Sequence, residues 1–222
     1  MEYRIGIIDD DKSKITQLLT FVSLGWEDEE GNLLKENYKD ITLNPFEISL
    51  EKSIDSMVEK IVSEKPDALI IDFKLSSQQN IAYSGVALAK KVDQRLRDFP
   101  IFILTSYQED LYTKECFDAY QVFDFERYIE DTQERLEVNS KLVQQARKYT
   151  TTIEAWKKEL EELLPLAGTN VKIDERLLEL DSLIENSVDG MSALSPKIKK
   201  DLGDTQKIQL LIDKIDKLIE GE

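Results

Sequence analysis

The segment Ile5-Gly6-Ile7-Ile8-Asp9-Asp10-Asp11 is a short apolar run closed at once by three carboxylates. An apolar run without polar alternation reads as a strand covered on both faces, the condition of a parallel sheet flanked by helices. The pattern recurs twice. Ala68-Leu69-Ile70-Ile71 is closed by Asp72, and Ile101-Phe102-Ile103-Leu104 by Thr105-Ser106. Parallel sheets place their chemistry at the C-terminal ends of the strands. Three such ends supplying two carboxylates, a third carboxylate and a hydroxyl make a small site suited to Mg²⁺ and a phosphoryl group.

Outward from these runs, strands are expected near 3–8, 41–43, 68–71, 101–104 and 121–123, with helices near 12–24, 50–63, 85–97 and 109–119. Ile54, Met57, Val58, Ile61 and Val62 form an apolar stripe at helical spacing. Gly25 is placed to end the first helix, and Pro66 and Pro100 each precede a strand, where a helix has already stopped. Strands alternating with helices give an α/β domain, a doubly wound five-stranded parallel sheet, over residues 1–126.

Beyond Glu126 no further strand is expected, and residues 127–222 read as an all-α region. Leu142, Ala146, Tyr149, Ile153, Trp156, Leu160 and Leu163 alternate spacings of four and three, a heptad seam on one long helix ending near Pro165. That helix is expected to continue the last helix of the α/β domain. A second helix carries Ile173, Leu177, Leu180, Ile184 and Val188. Ser195-Pro196 reads as a cap and first-turn proline, and Asp204 as the cap of a final helix with Ile208, Leu211, Ile215 and Leu218. Three apolar stripes need partners, either one another or a second protomer, so packing within the chain and a homodimer through the helical region are both open. Either way, the region reads as an output module working through protein contacts.

Composition narrows the function classes. The 222 residues carry 29 Lys+Arg against 45 Asp+Glu, a net charge of −16, and no histidine. His-based acid–base catalysis and His metal ligation are therefore excluded. Residues 1–126 hold 14 Lys+Arg against 25 Asp+Glu and residues 127–222 hold 15 against 20, so neither part has the basic footprint of a nucleic-acid binder. Lys197, Lys199 and Lys200 form a local basic group, read as the solvated face of a short helix. Cys116 is the one cysteine, which excludes an internal disulfide and fits a reducing cytoplasm. No apolar run approaches a membrane span, and Met1-Glu2-Tyr3 leads straight into the first strand, so neither a membrane anchor nor a signal peptide is expected.

In order and spacing, Ile5–Asp11, Asp72 with its strand and Thr105 after its strand resemble the receiver domain of two-component response regulators. The resemblance covers about residues 1–126. It implies a flavodoxin-like fold in which Asp72 accepts a phosphoryl group as an acyl phosphate. It also implies that Asp9, Asp10 and Asp72 hold Mg²⁺, and that Thr105 contacts a phosphoryl oxygen and serves as the switch. The implied partners are a histidine kinase or phosphotransfer protein upstream and a protein partner downstream, with no DNA and no membrane. The implied role is that of a cytoplasmic response regulator, not an enzyme.

The chain departs from the family's pattern at several positions. Receivers carry a lysine just after the fifth strand, and Phe125 stands there; the aromatic residue three places earlier is Val122. Lys74, two residues after Asp72, is a candidate substitute cation. The loop between Asp72 and Gly85 is longer than the family's, and Trp26–Asp40 is an acidic extension after the first helix. Each reads either as a partner-binding loop or as a surface insertion. These departures leave a second reading beside the first, a phosphorylation-independent pseudo-receiver scaffold.

Overall fold

The computed structural model describes residues 1–75, 81–106, 122–188, 194–195 and 197–204. The chain divides into two compact units, Met1–Tyr149 and Thr150–Glu222.

In the first unit, β1 (Glu2–Ile8), β2 (Thr42–Glu47), β3 (Ala68–Asp72), β4 (Ile101–Thr105) and β5 (Val122–Asp124) form one all-parallel sheet in the order β2-β1-β3-β4-β5. This is the doubly wound architecture expected from the apolar runs. Every residue of β3 and β4 is buried. Alternate residues feed two layers: Ile5, Ile7, Ile70, Phe102 and Leu104 on one face, and Ile8, Leu69, Ile71, Ile101 and Ile103 on the other. Burial on both faces explains why the runs are apolar throughout.

Helix α1 (Lys12–Leu24) covers the first face through Ile15, Leu18 and Val22. It ends at Gly25 as expected, but with φ 59° and ψ −94°, a positive-φ conformation open to glycine and distinct from the left-handed helical cap. Helices α2 (Ile54–Glu64) and α3 (Gly85–Arg95) cover the second. Two boundaries differ from the sequence expectation for local reasons. Helix α2 starts at Ile54 because the Ser53 hydroxyl accepts from Ser56 N–H and caps it there. Strand β2 runs on through Pro45 to Glu47, which an edge strand permits. The expected helix 109–119, Cys116, Gln121 and the loop 76–80 lie outside the described residues.

After β5 the chain forms a short helix, α4 (Phe125–Glu130), before α5 (Thr132–Leu163). The long helix is therefore not a continuation of the one that follows β5. Asp131 stands between them in extended backbone and accepts from Gln133 N–H at 2.8 Å, so it stops one helix and starts the next.

The extension after α1 is not a loose insertion. Trp26 is buried, stacks on Tyr38 at 4.2 Å and donates from Nε1 to the Ile41 carbonyl at 2.9 Å. Asn139 on α5 donates to the Gly25 carbonyl at 2.9 Å, Lys35 donates to Ser140 Oγ at 2.8 Å, and Arg135 donates to the Glu27 carbonyl at 3.3 Å. Leu136, Val138, Leu142, Val143 and Ala146 of the same helix join the first-face core, and Tyr149 meets Phe99 edge-on at 5.4 Å. The unit therefore closes after Tyr149 and not at Glu126: the first half of α5 buries its apolar face against the sheet's layer.

In the second unit the end of α5 leads through a 3₁₀ turn (Leu164–Leu166) to α6 (Val171–Ser187), capped by Asn170. Leu160, Leu177, Leu180, Ile184, Leu194 and Leu202 form its core, with Trp156 and Leu163 packed on it. Ser195 Oγ accepts from Ile198 N–H at 3.4 Å at the start of a helical run over 197–204. Asp204 is the last described residue of that run and is helical there. Pro196 and the expected final helix with Ile208, Leu211, Ile215 and Leu218 lie outside the described residues. Residues of the heptad seam enter two cores of the chain, Leu142 and Ala146 one and Leu160 the other. No described helix is long and apolar enough to cross a membrane.

Candidate functional site

The order β2-β1-β3 places a switch point between β1 and β3, because the chain leaves β1 toward one edge and β3 toward the other. The crevice there opens at the C-terminal ends of these two strands, and the sequence ends both in acid. Asp9 and Asp10 follow β1, and Asp72 closes β3. One carboxylate oxygen of each lies within 4.8 Å of the others, and all three residues are buried.

The backbone around them is fixed tightly. Asp11 N–H donates to Asp9 Oδ1 at 2.8 Å, and Asp11 caps α1 through Ser13 N–H. Lys74 N–H donates to Asp72 Oδ2 at 2.8 Å. Gly85, the first residue of α3, packs so closely that a Cβ would lie 1.9 Å from the Asp72 carbonyl oxygen. Its own N–H donates to the Phe73 carbonyl at 3.0 Å.

Three clustered carboxylates in a buried crevice disfavour one another's charge. Burial, then the charge of Asp72, pushes Asp9 up to about 7, while the Asp11 N–H and Lys14 pull it partly back. Asp72 is also raised by burial, against the opposing pull of Lys14. Lys14 Nζ lies 3.1 Å from Asp72 Oδ1. Burial works to lower Lys14, but the charge and hydrogen bond of Asp72, helped by Asp9 and Asp11, outweigh it and hold the ammonium above its usual range.

The donor set fits Mg²⁺. It is all oxygen, charged and compact, and a hard divalent cation that keeps several waters needs only two or three carboxylates. When bound, Mg²⁺ would neutralise charge on the carboxylates and on a phosphoryl group. Because Asp9 must lose its proton first, Mg²⁺ affinity is expected to rise with pH toward the point near 7 and level off above it. Calorimetric titration from about pH 6 to about pH 8 checks this, and a flat affinity across that window would contradict it. For the metal-free protein the sign is opposite. The folded state holds a proton that the unfolded chain releases above 3.8, so this group's contribution to stability falls as pH rises from there to about 7.

The other residues singled out in the sequence fall as follows. Thr105 is fully buried at the end of β4, and Leu104 registers with Asp72, so Thr105 stands one residue beyond the neighbour of Asp72. From Lys74, the group that reaches Asp72 is the backbone N–H. Phe125 opens α4 and is buried, and Val122 lies half-buried in β5 against the second-face core. Sequence reasoning missed Lys14. A signal was present: α1 has no acid in its first turn but carries Lys12 and Lys14 there, where the helix macrodipole disfavours cations. A cation held against the dipole marks an anionic neighbour. Lys12 pairs with Glu47 and Lys14 with Asp72.

No protein-family model matches the chain, and a search of the curated proteins finds no match. Among solved structures it is similar to the anti-anti-sigma factor PhyR from Bartonella quintana, with 15% identity and a TM-score of 0.43 over 70% of this chain and 51% of that one. It is similar to the response regulator PhyR from Brucella abortus at 15% identity and a TM-score of 0.42, over 70% of this chain and 52% of that one. A trimeric coiled-coil segment of yeast Spc42 fused to another protein matches at 18% identity and a TM-score of 0.43, over 68% of this chain and 84% of that one. The chain spans about half the length of the PhyR chains it matches.

Proposed function

We propose that the chain is a response regulator whose sheet-bearing unit accepts a phosphoryl group on Asp72. The observation that carries this reading is the convergence of Asp9, Asp10 and Asp72 at the switch point, with Lys14 on Asp72 and Thr105 at the end of the neighbouring strand. A carboxylate oxygen of Asp72 donates an electron pair to phosphorus. The bond from phosphorus to the donor's nitrogen or oxygen breaks, and the donor atom leaves with that pair. Such a transfer needs positioning and charge neutralisation more than covalent assistance, and this pocket is built for both.

The donor would be a phosphohistidine on a histidine kinase or phosphotransfer protein; this chain has no histidine and cannot carry that group itself. The protein would act in the cytoplasm as a phosphoryl acceptor, not as an enzyme turning over a separate substrate. The buried Thr105 hydroxyl would report the modification by moving toward the phosphoryl oxygen, and the helical unit would pass the signal to a protein partner. Incubation with Mg²⁺ and acetyl phosphate is expected to add the mass of one phosphoryl group, releasing acetate. The Asp72→Ala variant should gain none. An unmodified wild-type chain that nevertheless binds Mg²⁺ would sink the proposal.

A further inference from the structure

Phe125 stands where a receiver's lysine would contact the phosphoryl group, and a phenyl ring can neither donate a hydrogen bond nor offset charge. The pocket nevertheless contains an ammonium. Lys14 Nζ lies 3.1 Å from Asp72 Oδ1, its side chain is 22% exposed, and it sits 5.3 Å from the centroid of the Phe125 ring. We infer that Lys14 is the cation that binds the phosphoryl group on Asp72, and that Phe125 is the platform that positions it. This assignment rests on the phosphoacceptor reading and names the residue that completes that site.

Three features support the exchange. The first is direct contact: Lys14 already touches Oδ1 of the carboxylate that would take the phosphoryl group. The second is adaptability. An ammonium on a four-carbon stem is a point charge that can follow an oxygen from the carboxylate to the phosphoryl group, which a fixed backbone donor cannot do. The third is the ring. A cation over a phenyl face within about 6 Å is attracted to it, and attraction grows where water is excluded. Phe125 is buried at the start of α4, capped by Asp124, so its ring is held in place by the same junction after β5.

The consequence is a different route for the signal. Charge appearing on Asp72 would pull on the first turn of α1, just after the acidic β1 end, and not directly on the segment after β5. Phe125 would feel the change only through the ammonium above it.

The test compares wild type with Lys14→Met, Lys14→Gln and the Lys14→Met/Phe125→Lys double variant. Two readouts are taken: Mg²⁺ affinity of the unmodified proteins, and the rate of phosphoryl gain from acetyl phosphate by intact mass. Lys14→Met is expected to bind Mg²⁺ at least as tightly as wild type, because a competing cation is gone, yet to gain phosphoryl roughly 100-fold more slowly. The double variant should recover most of the lost rate, because it returns an ammonium from the position whose ring now borders Lys14 Nζ. Phosphorylation of wild type together with an unchanged rate in either single variant would overturn the role of Lys14 and leave Asp72 as the acceptor. So would loss of Mg²⁺ binding in both single variants, which would make Lys14 a structural support only. A wild-type chain that gains no phosphoryl overturns both assignments.

Discussion

Gly85→Ala is expected to destabilise the sheet-bearing unit by about 3 kcal/mol or more and to abolish Mg²⁺ binding. The added methyl would lie 1.9 Å from the carbonyl oxygen of Asp72 and 2.9 Å from its carbonyl carbon. These are backbone atoms at the end of β3, held by Phe73 N–H bonding to the Leu104 carbonyl and by Gly85 N–H bonding to the Phe73 carbonyl. No side-chain rotation relieves the overlap. Either α3 lifts away from β3 and opens the layer built by Leu88, Ala89 and Val92, or the Asp72 backbone turns and takes its carboxylate out of register with Asp9 and Asp10. Urea unfolding measures the first cost and calorimetry with Mg²⁺ the second. A stability loss under about 1 kcal/mol with Mg²⁺ binding retained would show that the packing is looser than this geometry.

Asn139→Ala should cost about 2–5 kcal/mol, nearly all from hydrogen bonds. Asn139 is fully buried on α5; its Oδ1 accepts from the Tyr128 hydroxyl at 3.0 Å and its Nδ2 donates to the Gly25 carbonyl at 2.9 Å. One side chain thus satisfies the end of α1 and the body of α4 together. Truncation strands a buried hydroxyl and a buried carbonyl, each costing about 1–3 kcal/mol without a partner. Tyr128→Phe removes only the hydroxyl and should cost less. In a double-mutant cycle the pair should be non-additive by about 1 kcal/mol or more, since the second change removes a group the first had already orphaned. Additive losses in urea unfolding would mean that the two residues do not share a bond.

The strands and their acidic ends were legible because burial on both faces leaves an unbroken apolar run, and Asp9, Asp10 and Asp72 follow such runs directly. The use made of the heptad seam was not. A repeat near 3.5 identifies which face of a helix is apolar but not what covers it, and Leu142 and Leu160 serve different cores. The break at Asp131 was hidden because a single capping residue inside helix-forming sequence leaves the apolar periodicity almost unchanged. Asn139 reads in sequence as an indifferent helix position, and its importance exists only once Gly25 and Tyr128 are beside it. Lys14 belongs to the same class: fifty-eight residues separate it from Asp72, and only the helix's first turn lying over the strand end brings them together.

Pro45 has an effect beyond the strand that contains it. Thr42 and Ile48 direct their N–H groups inward, to the carbonyls of Met1 and Ile7, so alternation turns Leu43, Pro45 and Glu47 toward the open edge of the sheet. At the middle of that edge the donor is missing. An incoming strand, from another copy or from an unfolded chain, would find no N–H at the centre of the row, so this edge is a poor template for further strands.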